Sequence, residues 1–323
     1  MNVLVLSELT AAQLADLSAL VARSARADGH PALAEPQRAA VGRQDLGAEG
    51  AKAVLAYEAD ALVGCAVITP AIDGATALHV AVDPGQRTGT IRIELMRTAL
   101  SHVHGRVRLW LMQVTDADDA EASQLGFLPE RDLLQMRVPL PLPAEMVASA
   151  RPVITRPFRP GHDDEAWLTI NNQAFADHPE QGGWTLEDLH ARTEAEWFDP
   201  EGFLVADNAD NLDASHLDAG HLDADGGEVA PTHGLLGSCW TKIHRDGDPV
   251  LGEIYVISVD PARHSEGWGR ALTVAGLQWM SANRNAPVGM LYTTASNTAA
   301  VALYGSLGFT IDHVDRSYLR TIS

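Results

Sequence analysis

Cysteine is scarce in this chain: there are two in 323 residues, Cys65 and Cys239. Two thiols so far apart make no disulfide framework and lack metal-ligand spacing, so the expectation is a reducing cytoplasm and no bound metal. Cationic side chains are also few, 23 Lys and Arg against 43 Asp and Glu, for a formal net charge of −20. A field of that sign repels nucleic acid and anionic lipid, which excludes both as non-specific partners. It leaves room for a local cationic spot. Long apolar runs are missing too, since none approaches the ~20 residues of a membrane span. The first residues, Met1–Glu8, lack the basic start and apolar core of a secretory signal. These absences together predict a soluble, cytoplasmic protein.

What is present is an apolar fraction of 46%, ordinary for a globular chain and sufficient for a core in each of two domains. The chain also repeats itself. An apolar strand ends at Val82-Asp83-Pro84 and again at Val259-Asp260-Pro261. Helices follow at about Arg92–Val103 and Gly269–Ala282, then strands centred on Leu109-Trp110-Leu111 and on Met290–Thr293. Each unit then has a helix, a Leu-Gly-Phe turn (Leu125-Gly126-Phe127, Leu307-Gly308-Phe309) and a closing strand. Elements in the same order with the same punctuation predict an α/β fold of two tandem domains, each a mixed central sheet flanked by helices.

The boundaries expected are 1–140 for the first domain, 141–152 for a linker broken by Pro141, Pro143 and Pro152, and 153–323 for the second. The second domain should open with a strand over Val153–Arg156, followed by helices over Asp163–Phe175 and Leu186–Trp197. Residues 207–232 repeat His-Leu-Asp-Ala at 216–219 and 221–224. Metal binding is the sharper reading of that run. A solvated insertion between two strands is the better one, because such polar low-complexity sequence cannot form a core.

The informative segment runs from Leu251 through Asp260-Pro261 into His264-Ser265-Glu266-Gly267-Trp268-Gly269-Arg270. A strand, a Gly-x-Gly loop and a helix let successive backbone N–H groups converge on a pyrophosphate at a helix N-terminus. A dinucleotide-binding fingerprint would need a third glycine and an acidic residue closing the next strand, and both are missing. Downstream, Asn297-Thr298-Ala299-Ala300-Val301-Ala302-Leu303-Tyr304 leads into Ser306-Leu307-Gly308-Phe309.

In these motifs the chain resembles the GCN5-related N-acetyltransferase (GNAT) superfamily. The resemblance implies acetyl-CoA as cosubstrate, with residues His264, Ser265, Glu266, Gly267, Trp268, Gly269 and Arg270 on its pyrophosphate. It also implies backbone amides of Ile257, Ser258 and Val259 on the pantetheine and thioester, and Asn297, Thr298, Ala299, Ala300, Val301 and Ala302 along the arm. The strings His178-Pro179-Glu180-Gln181-Gly182-Gly183-Trp184, Glu196–Gly202 and Cys239–His244 narrow it to a tandem branch that acetylates the amine of a cysteinyl-glucosaminyl-inositol. That acceptor would meet Glu35, Glu180, Lys242, Glu253 and Tyr292. Where the family has basic residues ahead of Gly-x-Gly, this chain has His264, Ser265 and Glu266, with Arg263 and Arg270 flanking them.

For the chemistry, Glu253 is the candidate general base. Its strand is apolar on both faces, so burial should raise its pKa. The alternative is a carboxylate paired with a cation such as Lys242. Tyr304 is the candidate acid for the CoA thiolate, and otherwise a half-buried packing tyrosine. A backbone amide near Ile257–Val259 would polarise the carbonyl, and Cys239 is expected in the core.

Counting seven back from Asp83 gives Thr76 where the second half has Glu253, and counting four back from Gly126 gives Ala122 where it has Tyr304. The first half is therefore expected to be catalytically dead. Other readings stay open: an acetyltransferase for another small amine or a protein N-terminus, or a non-catalytic acyl-CoA sensor. A monomer is expected, since duplicated lobes can pack as a family dimer would.

Overall fold

The computed structural model describes all residues except 30–31, 43–45, 48–49, 71–73, 88–89, 177–181, 209–233, 246 and 323, and except the side chains of 35, 36 and 39. The Asp/His-rich run thus lies outside the described residues apart from its first two. The chain divides into two units. The first is Met1–Gln135 with Thr294–Asn297 and Asp312–Ser323, and the second is Met136–Thr293 with Thr298–Ile311.

The first unit comprises β1 (Asn2–Leu6), α1 (Ala11–Asp28), α2 (Glu35–Gly42), β2 (Lys52–Glu58), β3 (Ala61–Pro70) and β4 (Thr76–Val82). It continues with α3 (Ile91–Leu100), β5 (Gly105–Leu111), α4 (Asp116–Gln124), most of β6 (Leu128–Pro139) and most of the chain's last strand, β12 (Thr310–Ile322). Its strands lie in the order β1-β2-β3-β4-β5-β12-β6. Strands β4 and β5 form a parallel pair, joined through α3 as such a pair requires.

A Thr10–Gln13 capping box starts α1 and Gly29, in the left-handed region at φ 71°, ends it. One core, around Leu78, Leu95, Leu109 and Phe127, also buries Tyr318 from β12. There Tyr318 Oη donates to Asp119 at 2.7 Å and Arg316 bridges Asp119 and Asp132. A second core gathers Leu17, Leu20, Leu55 and Cys65 under α1.

The second unit holds α5 (Ala144–Ala148), β7 (Arg156–Pro157), α6 (Asp164–Ala174), α7 (Leu186–Thr193) and β8 (Phe203–Asp207). It continues with β9 (Leu235–His244), β10 (Leu251–Val259), α8 (Trp268–Arg284), β11 (Val288–Thr294) and α9 (Thr298–Gly305), with strand order β11-β10-β9-β8-β7. Here β10 and β11 form the parallel pair. Helix α8 lies close on the sheet because Gly252 and Gly276 carry no Cβ: one there would overlap Met280 Sδ and Cys239 Sγ respectively. On the other side, Trp167 of α6 meets Phe203 and Trp240 in an aromatic core.

The expected elements are found, with departures: the helix expected over Arg92–Val103 is Ile91–Leu100, and three other places differ. The strand expected over Val153–Arg156 is reduced to Arg156–Pro157, paired with Val205 and Leu204, and Ile154 is 93% exposed. The proline-rich join contains the short helix α5, which starts right after Pro143, where a missing N–H costs nothing. Helix α7 stops at Thr193, short of Trp197, ahead of the Asp199-Pro200 turn. Among the described residues no helix is long and apolar enough to cross a membrane, and no His/Cys/Asp/Glu cluster could hold a metal ion.

Candidate active site

The parallel register of β10 and β11 runs from Leu251↔Val288 to Ile254↔Leu291. The antiparallel register with β9 continues further, to Val259↔Gly237, and skips Tyr255. Tyr255 is the extra residue of a β-bulge, which bends β10 where its parallel pairing ends. Ile257, Ser258 and Val259 lie beyond that point with partners on the β9 side, so their strand has left β11. Buried Ser258 shares a hydroxyl contact of 2.8 Å with Ser238, which accepts from Trp167 Nε1 at 2.9 Å.

Glu253 is the last paired acidic residue before the strands part. It sits opposite Lys242 on β9 and beside Met290 on β11. Alternation therefore puts Lys242, His244, Glu253 and, two residues past Met290, Tyr292 on the sheet face that α6 and α7 cover. Glu253 is 8% exposed. Its hydrogen-bonding partner is His244, with Nε2 and Oε2 2.6 Å apart. Lys242, facing it in register, instead places its ammonium 4.2 Å from the Trp197 ring centre and 5.3 Å from that of Tyr255. Arg192 of α7 donates to the Tyr255 hydroxyl at 3.2 Å and stacks over Trp184. A carboxylate, a cation, an imidazole and two phenols thus meet on one face floored by aromatic rings.

The loop after β10 is set by its backbone. Asp260 accepts from Ala262 N at 2.9 Å, and Ser265 and Gly267 both take left-handed conformations, at φ 65° and 86°. Helix α8, 17 residues long, begins after Gly267 with no side chain capping its first N–H groups. Uncapped N–H groups and the positive end of a long helix suit a pyrophosphate.

His264 and Ser265 bring no permanent charge to the loop, and Glu266 accepts from Trp268 Nε1 at 3.1 Å. Three arginines stand near: Arg263, 3.9 Å from the Glu266 carboxylate and donating to Asn208 at 3.3 Å, Arg151 and Arg270. Arg151 donates to the Glu266 carbonyl at 2.8 Å and lies over Trp268, while Arg270 is held by the hydroxyls of Ser149 and Ser306. Held by hydroxyls, the Arg270 charge is available to an anion. The residues present therefore fit the pyrophosphate of CoA.

Asn297 closes a turn, its N–H donating to Thr294 O at 3.0 Å, and α9 starts at the next residue. Thr298 and Ala299 are exposed, Ala300 and Val301 half-buried and Ala302 exposed, so the start of α9 is open. Tyr304, near its end, is buried and packs on Phe309. Burial, with a smaller contribution from Cys239, pushes the Tyr304 phenol up to about 12. The Cys239 thiol is likewise raised to about 12 by burial, which removes it as a nucleophile. Glu180 and the side chain of Glu35 lie outside the described residues.

The first unit repeats the frame without the groups. Phe127 N donates to Ala122 O at 3.0 Å as Phe309 N does to Tyr304 O at 3.1 Å, so Ala122 stands at the Tyr304 position. At the base position the structure moves the counterpart by one. Gly64↔Val82 matches Gly237↔Val259, but β4 has no bulge against β3, so the residue equivalent to Glu253 is Ala77, paired with Thr69, and not Thr76.

The cleft between β4 and β5 persists as a cavity of about 310 Å³ lined by His79, Arg87, Arg92, Trp110 and Asp118 among others. Its arginines are neutralised: Arg87 is bidentate to Asp28, and Arg92 pairs with Asp118 and Glu121.

Sequence reasoning did not single out His244 as the partner of Glu253, although it closes the Cys239–His244 string. The signal was there, because Lys242 and His244 sit two apart on a strand hairpinned to that of Glu253, and so on one face.

Residues 183–309 match the family described as Acetyltransferase (GNAT) family. The chain is 43% identical to the mycothiol acetyltransferase of Salinispora arenicola over 72% of this chain and 69% of that protein. It is 38% identical to that of Kocuria rhizophila over 94% of each. Among solved structures it is similar to a tandem GNAT protein from the clavulanic acid biosynthesis pathway, with a TM-score of 0.63 and 15% identity, covering 99% of this chain and 98% of that one. That last likeness shows the fold, in which two acetyltransferase-type domains follow one another along a single chain.

Proposed function

Because the chain belongs to the mycothiol acetyltransferase family of GNAT proteins, we propose that it moves the acetyl group of acetyl-CoA onto the cysteinyl amine of desacetylmycothiol (cysteinyl-glucosaminyl-inositol), giving mycothiol and CoA. As a GNAT member it is an acetyl-CoA-dependent N-acetyltransferase. The observation that carries the finer reading is the position of Glu253, a buried carboxylate at the last paired step before β10 and β11 part, on the same face as Lys242 and Tyr292. A thioester laid along Ile257–Val259 would have its carbonyl beside that point.

The chemistry runs by direct attack. Glu253 takes a proton from the amine, through water or directly, as nitrogen attacks the thioester carbon. Backbone amides beyond the bulge stabilise the oxyanion. Tyr304 donates toward the leaving sulfur. A phenol near 12 is a weaker acid than a thiol at about 8.5, so that donation acts first as a hydrogen bond to the developing thiolate. The α8 N-terminus and Arg270 hold the pyrophosphate, and Ser265 to Gly269 supply backbone N–H groups to it. Thr298 to Ala302 flank the pantetheine arm. Lys242 and Tyr292, with Glu180 and Glu35, hold the sugar and inositol.

The first unit, Met1–Gln135 with Thr294–Asn297 and Asp312–Ser323, serves as a degenerate domain and the second, Met136–Thr293 with Thr298–Ile311, as the catalytic one, acting as a monomer. The test is incubation of the protein with acetyl-CoA and the pseudodisaccharide, with product read by mass because the acceptor's thiol confuses thiol reagents. A single acetyl on nitrogen is expected. No product despite acetyl-CoA binding would remove the reading.

A further inference from the structure

We propose that His244 is the positioning partner of Glu253, holding the carboxylate and carrying to solvent the proton that Glu253 collects. The inference rests on Glu253 as base. Three observations support it. The Nε2–Oε2 contact of 2.6 Å joins the ring directly to the carboxylate that must cycle between charged and neutral. The Glu253 side chain is 11% exposed and that of His244 34%, so the imidazole spans the gap between a buried base and water. Lys242, the other candidate partner, has its ammonium engaged over Trp197 and Tyr255.

The proton count requires an exit. An ammonium acceptor loses two protons on becoming an amide. The N–C bond forms, the C–S bond breaks, one proton ends on the CoA sulfur and the other must leave. Without a carrier it would remain on Glu253 and block the next turnover. Across the contact, Glu253 passes it to Nε2 of the Nδ1–H tautomer, the imidazolium so formed releases its Nδ1 proton to solvent, and exchange of the ring protons with water restores the starting tautomer before the next turnover.

Other ionisable groups on the same and neighbouring elements enter any pH profile. They are Lys242 and Arg245 on or beside β9, Asp248 in the β9–β10 turn, Tyr255 on β10, Tyr292 on β11, and His190 and Arg192 on α7. His190 is held by Asp164 at 3.0 Å, and Arg192 donates to Tyr255.

The decisive variant is His244→Gln, whose amide can still donate to Glu253 and keep it oriented but cannot relay a proton. His244→Ala and Glu253→Gln accompany it, with melting curves and acetyl-CoA affinity as checks on folding. His244→Gln is expected to lower kcat by about tenfold or more, with acetyl-CoA affinity within twofold and the acidic limb of the kcat profile displaced. Added imidazole should restore much of the His244→Ala rate.

A His244→Gln protein as fast as wild type across the pH range overturns the relay and leaves a hydrogen bond only. So does a slow one with an unmoved pH profile and no rescue of His244→Ala by imidazole. If Glu253→Gln keeps the wild-type rate, the base assignment itself has failed. A dead Glu253→Gln beside an unaffected His244→Gln separates the two failures.

Discussion

The two units share a frame and differ in what fills it. Both carry a parallel strand pair that parts near its C-terminal end, an Asp-Pro turn whose aspartate accepts a backbone N–H, and a Gly-Phe turn closed by the same backbone bond. In the second unit the strand bulges at Tyr255, which accompanies the placement of Glu253 and the opening of the strand ahead of Ile257. In the first, β4 has no bulge against β3, alanines stand at 77 and 122, and the arginines near the loop are spent on carboxylates. Turns, glycines and cores specify the frame common to both units, whereas the proposed chemistry would depend on a few side chains and one inserted residue that only the second unit has.

The contrast is most sharply broken at Glu253. Glu253→Gln is expected to lower kcat by about 10²- to 10⁴-fold with acetyl-CoA affinity nearly unchanged, while Ala77→Glu in the first unit should yield no new activity. Steady-state rates with product read by mass check both.

Tyr304→Phe comes next, with a fall in kcat of about 10²-fold and little change in acetyl-CoA affinity. A fall in affinity alone would make Tyr304 a packing residue.

Arg270→Ala should raise the KM for acetyl-CoA about tenfold, near 1.4 kcal/mol, because its charge is held by hydroxyls. Arg92→Ala should leave that KM within about twofold, its charge being already neutralised. Equal effects would mean that the two loops do not differ as their ion pairs suggest.

A last contrast, of stability and not of rate, lies in the first unit. Burial lowers the His79 imidazole to about 4, so the folded state keeps it neutral where the unfolded chain would protonate it. Its contribution is therefore complete above about 6.5 and is lost as pH falls toward 4, by at most about 3 kcal/mol. His79→Phe should flatten the acid dependence of urea unfolding across that window. An unchanged slope would show that His79 is already solvated.

Much of this was legible in the sequence. Asp-Pro turns, Leu-Gly-Phe turns and the Gly-x-Gly loop mark the duplicated frame because each needs a particular residue type, and Glu253 stands out as a lone charge in an apolar strand. Three features were not legible. The bulge at Tyr255 has no residue signature, so a count along the chain reached Thr76 instead of Ala77. The place of β12 in the first unit depends on pairing with β5, Arg316↔Leu111 to Ile322↔Gly105, between segments some two hundred positions apart. Proline density at 139–152 suggested a bare linker, and helix α5 forms there because Pro143 precedes its first turn.

The most direct test of an acetyl donor poised against a sugar-held cysteinyl amine is a competition. The protein receives acetyl-CoA with equimolar cysteinyl-glucosaminyl-inositol, free cysteine and glucosaminyl-inositol, and the products are separated by mass. Acetylation confined to the cysteinyl pseudodisaccharide is the predicted result. Acetylation of free cysteine or of the glucosamine nitrogen at a comparable rate would contradict it.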